Sequence, residues 1–125
     1  IKKDIDFSFL EEFESIESIS SLNSNVWNWN FVGKLNKLKK IHIVMFDEYN
    51  DFKWDGLSFS YSLEEFEASG IYFDKALLEN LGDIPSIKKI DIEFTDYSLL
   101  NEHDKGYINI WINKMECKGT DVNIS

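Results

Sequence analysis

Alternation of apolar and polar positions dominates this chain. Ile5, Phe7 and Phe9 alternate with Asp6 and Ser8, and Leu57, Phe59 and Tyr61 alternate with Ser58 and Ser60. Such a pattern marks a strand with one buried face. Stretches 39–47 and 88–96 set Ile41, Ile43 and Met45, and then Ile90, Ile92 and Phe94, to one side. Their opposite sides carry His42, Val44 and Phe46, and Asp91, Glu93 and Thr95. The strongest run lies within 106–115, where Ile108, Ile110 and Ile112 alternate with Tyr107, Asn109, Trp111 and Asn113. It predicts a final strand, followed by a tail over 117–125 in which Val122 and Ile124 could add a short edge strand. Helical signals are fewer. Residues 73–81 place Leu77, Leu78 and Leu81 on one stripe, and Gly82 follows where a positive φ would close a helix. Two LEEFE blocks, 10–14 and 63–67, put acids where a helix N-terminus favours them. Residues 24–32 end at Gly33 in the same way and read as helix by analogy, although VWNWNF also alternates as a strand would.

The chain repeats itself. Residues 33–47 read GKLNKLKKIHIVMFD and residues 82–96 read GDIPSIKKIDIEFTD, with six of 15 positions identical at an offset of 49. FSF followed by LEEFE recurs as FSY and then LEEFE, in the same order. Two copies of a strand–helix–strand unit, about 5–50 and 57–98, account for this, with the strand at 106–115 appended. The expectation is one α+β domain over 1–125: a single, mainly antiparallel sheet, helices on one face, and duplicated βαβ units in a ferredoxin-like arrangement. A leucine-rich-repeat fragment is the rival, because Leu35-x-x-Leu38-x-x-Ile41-x-Ile43 fits that spacing. Such repeats recur every 20–29 residues, and no clear copy stands out halfway between the two matching blocks.

Composition narrows the partners. Asp and Glu number 23 against 13 cations, a formal net charge of -10, and every cation is Lys. Nucleic acid and anionic membrane surfaces need a basic footprint, so this balance favours a basic protein partner, or no charged partner at all. The absence of Arg removes bidentate guanidinium clamps for phosphate or carboxylate. Missing Arg and Gln beside abundant Ile and Asn read as a low-GC coding bias and suggest a bacterial source. Cys117 is alone, which excludes an intramolecular disulfide and fits a reducing compartment. No apolar run approaches a membrane span, and the N-terminal residues lack a separate apolar stretch, so a cytoplasmic location is expected.

Catalytic chemistry finds little to work with. His42 lies within a strand pattern, His103 beside Asp104 in a polar stretch, and Cys117 has only Lys118 as a basic neighbour. The acids of 47–56 do not match a calcium-loop spacing, and there is no Gly-rich phosphate loop. No catalytic residue, metal or cofactor is therefore assigned. Two clusters read as interaction surface instead. Asp47, Glu48, Asp51 and Asp55 crowd a loop with Tyr49, Phe52 and Trp54, and Trp111 falls on a strand face of otherwise polar members. Aromatics amid carboxylates have the make-up of a binding hot spot inside an orienting charged rim. The second cluster is acidic, Glu11, Glu12, Glu14 and Glu17 in the first copy and Glu64, Glu65 and Glu67 in the second, with Glu11, Glu12, Glu64 and Glu65 at the helix starts as its candidate contacts.

In size, acidity and scarcity of catalytic groups the whole chain resembles the immunity proteins of bacterial toxin–immunity pairs. That resemblance implies a non-catalytic protein that neutralises a cognate toxin, such as a basic nuclease, by covering its active site. The other expectation is a structural or regulatory subunit that pairs through the edge strand at 107–115 or forms a homodimer.

Overall fold

Strands form where β-branched and aromatic residues alternate, and the computed structural model arranges them in an order the sequence reading did not anticipate. It describes residues 4–5, 8–22, 25–26, 29–46 and 53–125. Seven strands occur among these: β1 (Asp4–Ile5), β2 (Ser18–Leu22), β3 (Asn25–Val26), β4 (Lys40–Val44), β5 (Glu65–Ile71), β6 (Lys89–Phe94) and β7 (Asp121–Ile124). Helices α1 (Lys75–Gly82) and α2 (Glu102–Cys117) join them, with 3-10 turns at Ser8–Glu12, Asn30–Lys34, Leu57–Phe59 and Tyr97–Leu99. The main sheet runs β2-β4-β5-β6-β7, and every pairing in it is parallel. β1 and β3 form a separate parallel pair.

This overturns the mainly antiparallel, ferredoxin-like expectation. Neighbouring strands follow one another in sequence, and each connection returns the chain to start the next strand beside the last. The result is a stack of coils. Register gives their lengths: Ser18 lies beside Lys40, Lys40 beside Glu65, Glu65 beside Lys89 and Lys89 beside Asp121, steps of 22, 25, 24 and 32 residues. The offset of 49 between matching blocks is therefore two coils rather than one duplicated unit. In strand order, and in three of these four steps, the stack resembles the leucine-rich-repeat arrangement set aside above; the last step, 32, is longer than the 20–29 of such repeats. The copy missing from the sequence reading is Ser60-x-x-Leu63-x-x-Phe66-x-Ala68, all four buried.

Inward columns build the core. Ile41, Phe66 and Ile90 form one layer across the sheet, Ile43, Ala68 and Ile92 a second, and all six are buried. Leu38, Leu63 and Ile87 supply the turn before each strand. Their carbonyls accept hydroxyls from the following coil: Ser62 Oγ donates to Leu38 O at 2.7 Å, Ser86 Oγ to Leu63 O at 2.7 Å, and Thr120 Oγ1 to Ile87 O at 3.2 Å. Ser62 Oγ also reaches Leu35 O at 3.1 Å. Buried turn carbonyls need such partners, and the hydroxyls tie coil to coil.

Several local expectations are also corrected. Residues 57–61 are not a strand: Leu57 and Ser60 are buried while Phe59 and Tyr61 are exposed, a spacing of three that suits the 3-10 turn. Residues 63–67 enter β5 instead of a helix, because Phe66 and Ala68 fill the sheet's inner face. The first LEEFE block enters the turn Ser8–Glu12, so the two blocks are not equivalent in space. Of residues 24–32, the described ones, 25–26 and 29–32, hold β3 and the start of the turn Asn30–Lys34 rather than a helix, and the others lie outside the described residues. The run around Ile108, Ile110 and Ile112 is helical, since Ile108, Trp111 and Met115 are the buried members and their spacing is three and four. Asn101 caps that helix by accepting from Asp104 N at 2.8 Å. Helix α1 forms as expected, with Leu77, Leu78 and Leu81 inward and Asp74 accepting from Ala76 N at 2.8 Å. Gly82 is its last helical residue and does not take a positive φ. The tail closes as β7, the short edge strand kept open above. Among the described residues, no helix is long and apolar enough to cross a membrane.

Candidate functional site

A parallel sheet with one face packed on its own coils leaves the other face to solvent, and in-register stacking lines that face with rows of residues. Adjacent strands stand about 4.8 Å apart, so neighbours in a row interact directly. At the N-terminal ends of the strands the rows alternate in charge. Glu17, Lys39, Glu64 and Lys88 occupy equivalent places. Glu17 O accepts from both Lys39 N and Lys40 N, Lys39 O from Glu64 N and Glu65 N, and Glu64 O from Lys88 N and Lys89 N. Lys39 Nζ lies 3.1 Å and Lys88 Nζ 3.3 Å from the Glu64 carboxylate. Hydrogen bonds from Lys39 and Lys88 hold the Glu64 carboxyl below its usual range, against a smaller opposing effect of burial. The next row, Ser18, Lys40, Glu65, Lys89 and Asp121, alternates likewise, and Lys40 Nζ is 3.9 Å from Glu65.

The other end of the same face is built differently. Ser20, His42, Glu67, Asp91 and Asn123 make one row, so Glu67 sits directly beside Asp91. Leu22, Val44 and Ser69 begin the next row, and Glu93 follows beside Ser69. Lys40 Nζ reaches Glu67 at 3.4 Å, and His42 Nε2 stands 4.0 Å from the same carboxylate. Among the described residues neither Asp91 nor Glu93 has an ion-pair partner. His42, Glu67, Ser69, Asp91 and Glu93 line a shallow depression of about 190 Å³. On the β2–β4 side the surface turns apolar, with Leu22 and Phe46 exposed. Acid and apolar surface thus adjoin on a face that no layer of the described chain covers.

The residues singled out by sequence are scattered. Trp54 is buried, stacked on Trp29 at 6.1 Å and edge-on to Phe66 at 6.0 Å. Trp111 is buried too, and its indole N–H donates to Leu78 O at 2.9 Å. Neither is a surface anchor: coil stacking puts aromatic partners over the first and α1 under the second. Asp55 is exposed, and its carbonyl accepts from Trp29 N at 3.1 Å. Asp47, Glu48 and Asp51 lie outside the described residues. Glu11 and Glu12 are in the first 3-10 turn, whereas Glu64 and Glu65 belong to the charge-balanced rows. Glu67 belongs to the acidic cluster read from the sequence but lies on β5 rather than at a helix start; the Phe66-x-Ala68 alternation was the available signal. Asp91 and Glu93 were placed on the outer side of their strand, where the structure has them.

His103 lies in the first turn of α2 and Cys117 at its end, both exposed. Among the described residues no three His, Cys, Asp or Glu side chains converge as metal ligands. A larger hollow of about 350 Å³ near Gly82, Ile87, Met115 and Thr120 contains one cation, Lys118, whose Nζ donates to Gly82 O at 3.2 Å. The structure gives no strand at 107–115 for edge pairing, because that segment is helix. No family model matches the chain, and neither a curated protein nor a solved structure matches it.

Proposed function

We propose that this protein is a non-catalytic acidic binding module that takes a basic protein on the open face of its sheet. The observation that carries the reading is the pairing of Glu67 with Asp91, with Glu93 one row away. Like charges placed side by side on a sheet cost stability, and the chain avoids that arrangement in the rows nearer the strand starts. Retaining it at the depression supports a role in recognition. Carboxylates there attract the lysines or arginines of a partner and raise the association rate, while Leu22, Val44 and Phe46 offer apolar contact beside them.

The finer proposal is an immunity protein that neutralises a bacterial toxin of the basic nuclease class, its carboxylates occupying the place of nucleic-acid phosphates. It follows from the class-level resemblance and the charge of the face. The test is co-purification with the toxin-like product of the adjacent gene, followed by binding kinetics against salt. Asp91→Asn combined with Glu93→Gln is expected to slow association about tenfold at low salt. Absence of a complex, or a complex indifferent to both salt and these substitutions, overturns the proposal.

A further inference from the structure

A stack of coils buries each coil against its neighbours, so its end coils face a different requirement from the inner ones. The first described coil precedes the second by 22 residues, in both the β2–β4 register and the 3-10 turns Ser8–Glu12 and Asn30–Lys34. Phe9 therefore corresponds to Phe31, and Phe13 to Leu35. The inner pair is 2% and 0% exposed, whereas Phe9 and Phe13 are 57% and 52% exposed. Two large aromatic rings occupy core-type positions at an end where solvent reaches them. Ile16 and Ile19, which correspond to the fully buried Leu38 and Ile41, are only partly buried. On β2 the Ser21 hydroxyl is buried with no hydrogen-bond partner among the described residues, at a place where the following coils carry Ile43, Ala68 and Ile92.

Charge decides what fits this surface. Residues 8–22 contain Glu11, Glu12, Glu14 and Glu17 and no lysine. A second copy docked end to end would bring two such sets of carboxylates together, which disfavours self-association. We infer that the exposed surface of the first described coil, residues 8–22, is a second docking surface, for a basic protein segment that alternates or clusters apolar side chains with lysine or arginine. Phe9 and Phe13 are its anchors and the four glutamates its rim, the composition of an interface hot spot. The inference rests on the proposed basic partner for the sign of the charge, but on a different part of the molecule.

The test uses the full chain, labelled with nitrogen-15, titrated at low salt with a short peptide alternating lysine and leucine. A glutamate–leucine peptide serves as control. Saturable shifts in amides of residues 8–22 are expected with the lysine peptide only, weakened about tenfold in Phe9→Ser/Phe13→Ser and unchanged in Asp91→Asn/Glu93→Gln. A Glu12→Lys/Glu14→Lys variant gives the same readout should the phenylalanine variant fail to fold, with loss of binding expected. Shifts confined to β5 and β6 overturn the end surface while sparing the strand-face reading. Equal binding of the acidic peptide, or none of either, overturns the charge argument for both surfaces. A concentration-dependent dimer abolished by Phe13→Ser assigns the end to a second copy and overturns the inference.

Discussion

Gly70→Ala is a sharp test of the parallel stack, because its cost depends on β4 and β5 lying side by side. Gly70 has φ +75 and sits at the register shift between Ser69 and Ile71 in β5. A Cβ built there collides with the carbonyl oxygen of Met45, a backbone atom of the neighbouring coil. Two costs follow. The left-handed conformation costs a residue with a Cβ about 1–2 kcal/mol. Relieving the collision moves the chain at Met45, whose N–H donates to Ser69 O at 3.0 Å, and a weakened backbone bond adds about 1 kcal/mol. The sum is about 2–3 kcal/mol, which lowers Tm by roughly 10 °C in a domain of this size. Two other glycines calibrate the result. Gly119 has φ +90 but open space around its Cβ position, so Gly119→Ala shows the conformational cost alone. Gly106 lies inside α2 with no atom within 4 Å of its Cβ position. Gly106→Ala is expected to stabilise by about 0.5–1 kcal/mol through helix propensity. Urea unfolding of the three variants gives the comparison. Equal losses for Gly70→Ala and Gly119→Ala would show that Met45 does not lie across from Gly70, and the coil order would fail with it.

Ser62→Ala removes the donor to two turn carbonyls, Leu35 O and Leu38 O, and is expected to cost about 1–3 kcal/mol, with Ser62→Thr recovering most of it; urea midpoints decide. Glu64 contributes stability that is complete above the unfolded carboxyl pKa, about 4.3 for glutamate, and is lost as pH falls through its lowered folded pKa. Thermal melts from neutral to acid pH at low salt should therefore show a shallower loss for Glu64→Gln than for the parent chain; parallel curves would discount the Lys39 and Lys88 contacts. Asp91→Lys replaces a like-charge neighbour of Glu67 with an opposite one and is expected to raise stability by about 0.2–1 kcal/mol, read as an increase in Tm that shrinks with added salt.

What the sequence disclosed depended on whether local periodicity and stacking agreed. β4, β6 and α1 were readable because Ile41/Ile43, Ile90/Ile92 and Leu77/Leu78/Leu81 satisfy one period each. β5 was hidden because Glu65 and Glu67, with Glu64 just before them, resemble a helix start when taken alone. Glu65 and Glu67 are strand residues because Phe66 and Ala68 fill the sheet's inner face, and the lysines beside Glu64 and Glu65 come from neighbouring coils that no local window contains. α2 failed for the opposite reason: isoleucines at alternate positions suggest a strand, yet Ile110 is exposed and the buried stripe is Ile108, Trp111 and Met115. The same blindness misplaced the anchors. Trp54 was assigned to the surface by its acidic neighbours, but the preceding coil supplies Trp29 to stack against it.

The outer face of the sheet separates what the fold requires from what it tolerates. Near the strand starts, Lys39, Lys40, Lys88 and Lys89 are set against Glu17, Glu64, Glu65 and Asp121, and each lysine or acid lies beside an opposite charge in its row. In-register stacking makes that alternation necessary, since identical signs would repeat at the strand spacing. The rows of Glu67, Asp91 and Glu93 break the rule with no lysine of their own; among the described residues Lys40 reaches Glu67 from the flank and His42 stands beside it. The coil can accept a lysine at the equivalent of position 91, because positions 40 and 89 already hold one on the same face. The like-charge pair is therefore a departure that folding does not demand. Local rules broken without a structural return concentrate at functional sites, and stabilising them commonly lowers activity. Asp91→Lys should accordingly strengthen the fold while weakening capture of a basic partner. A variant that gains stability and binds as before would assign the acidic rows to solvation of the surface, and the strand face would lose its claim as the site.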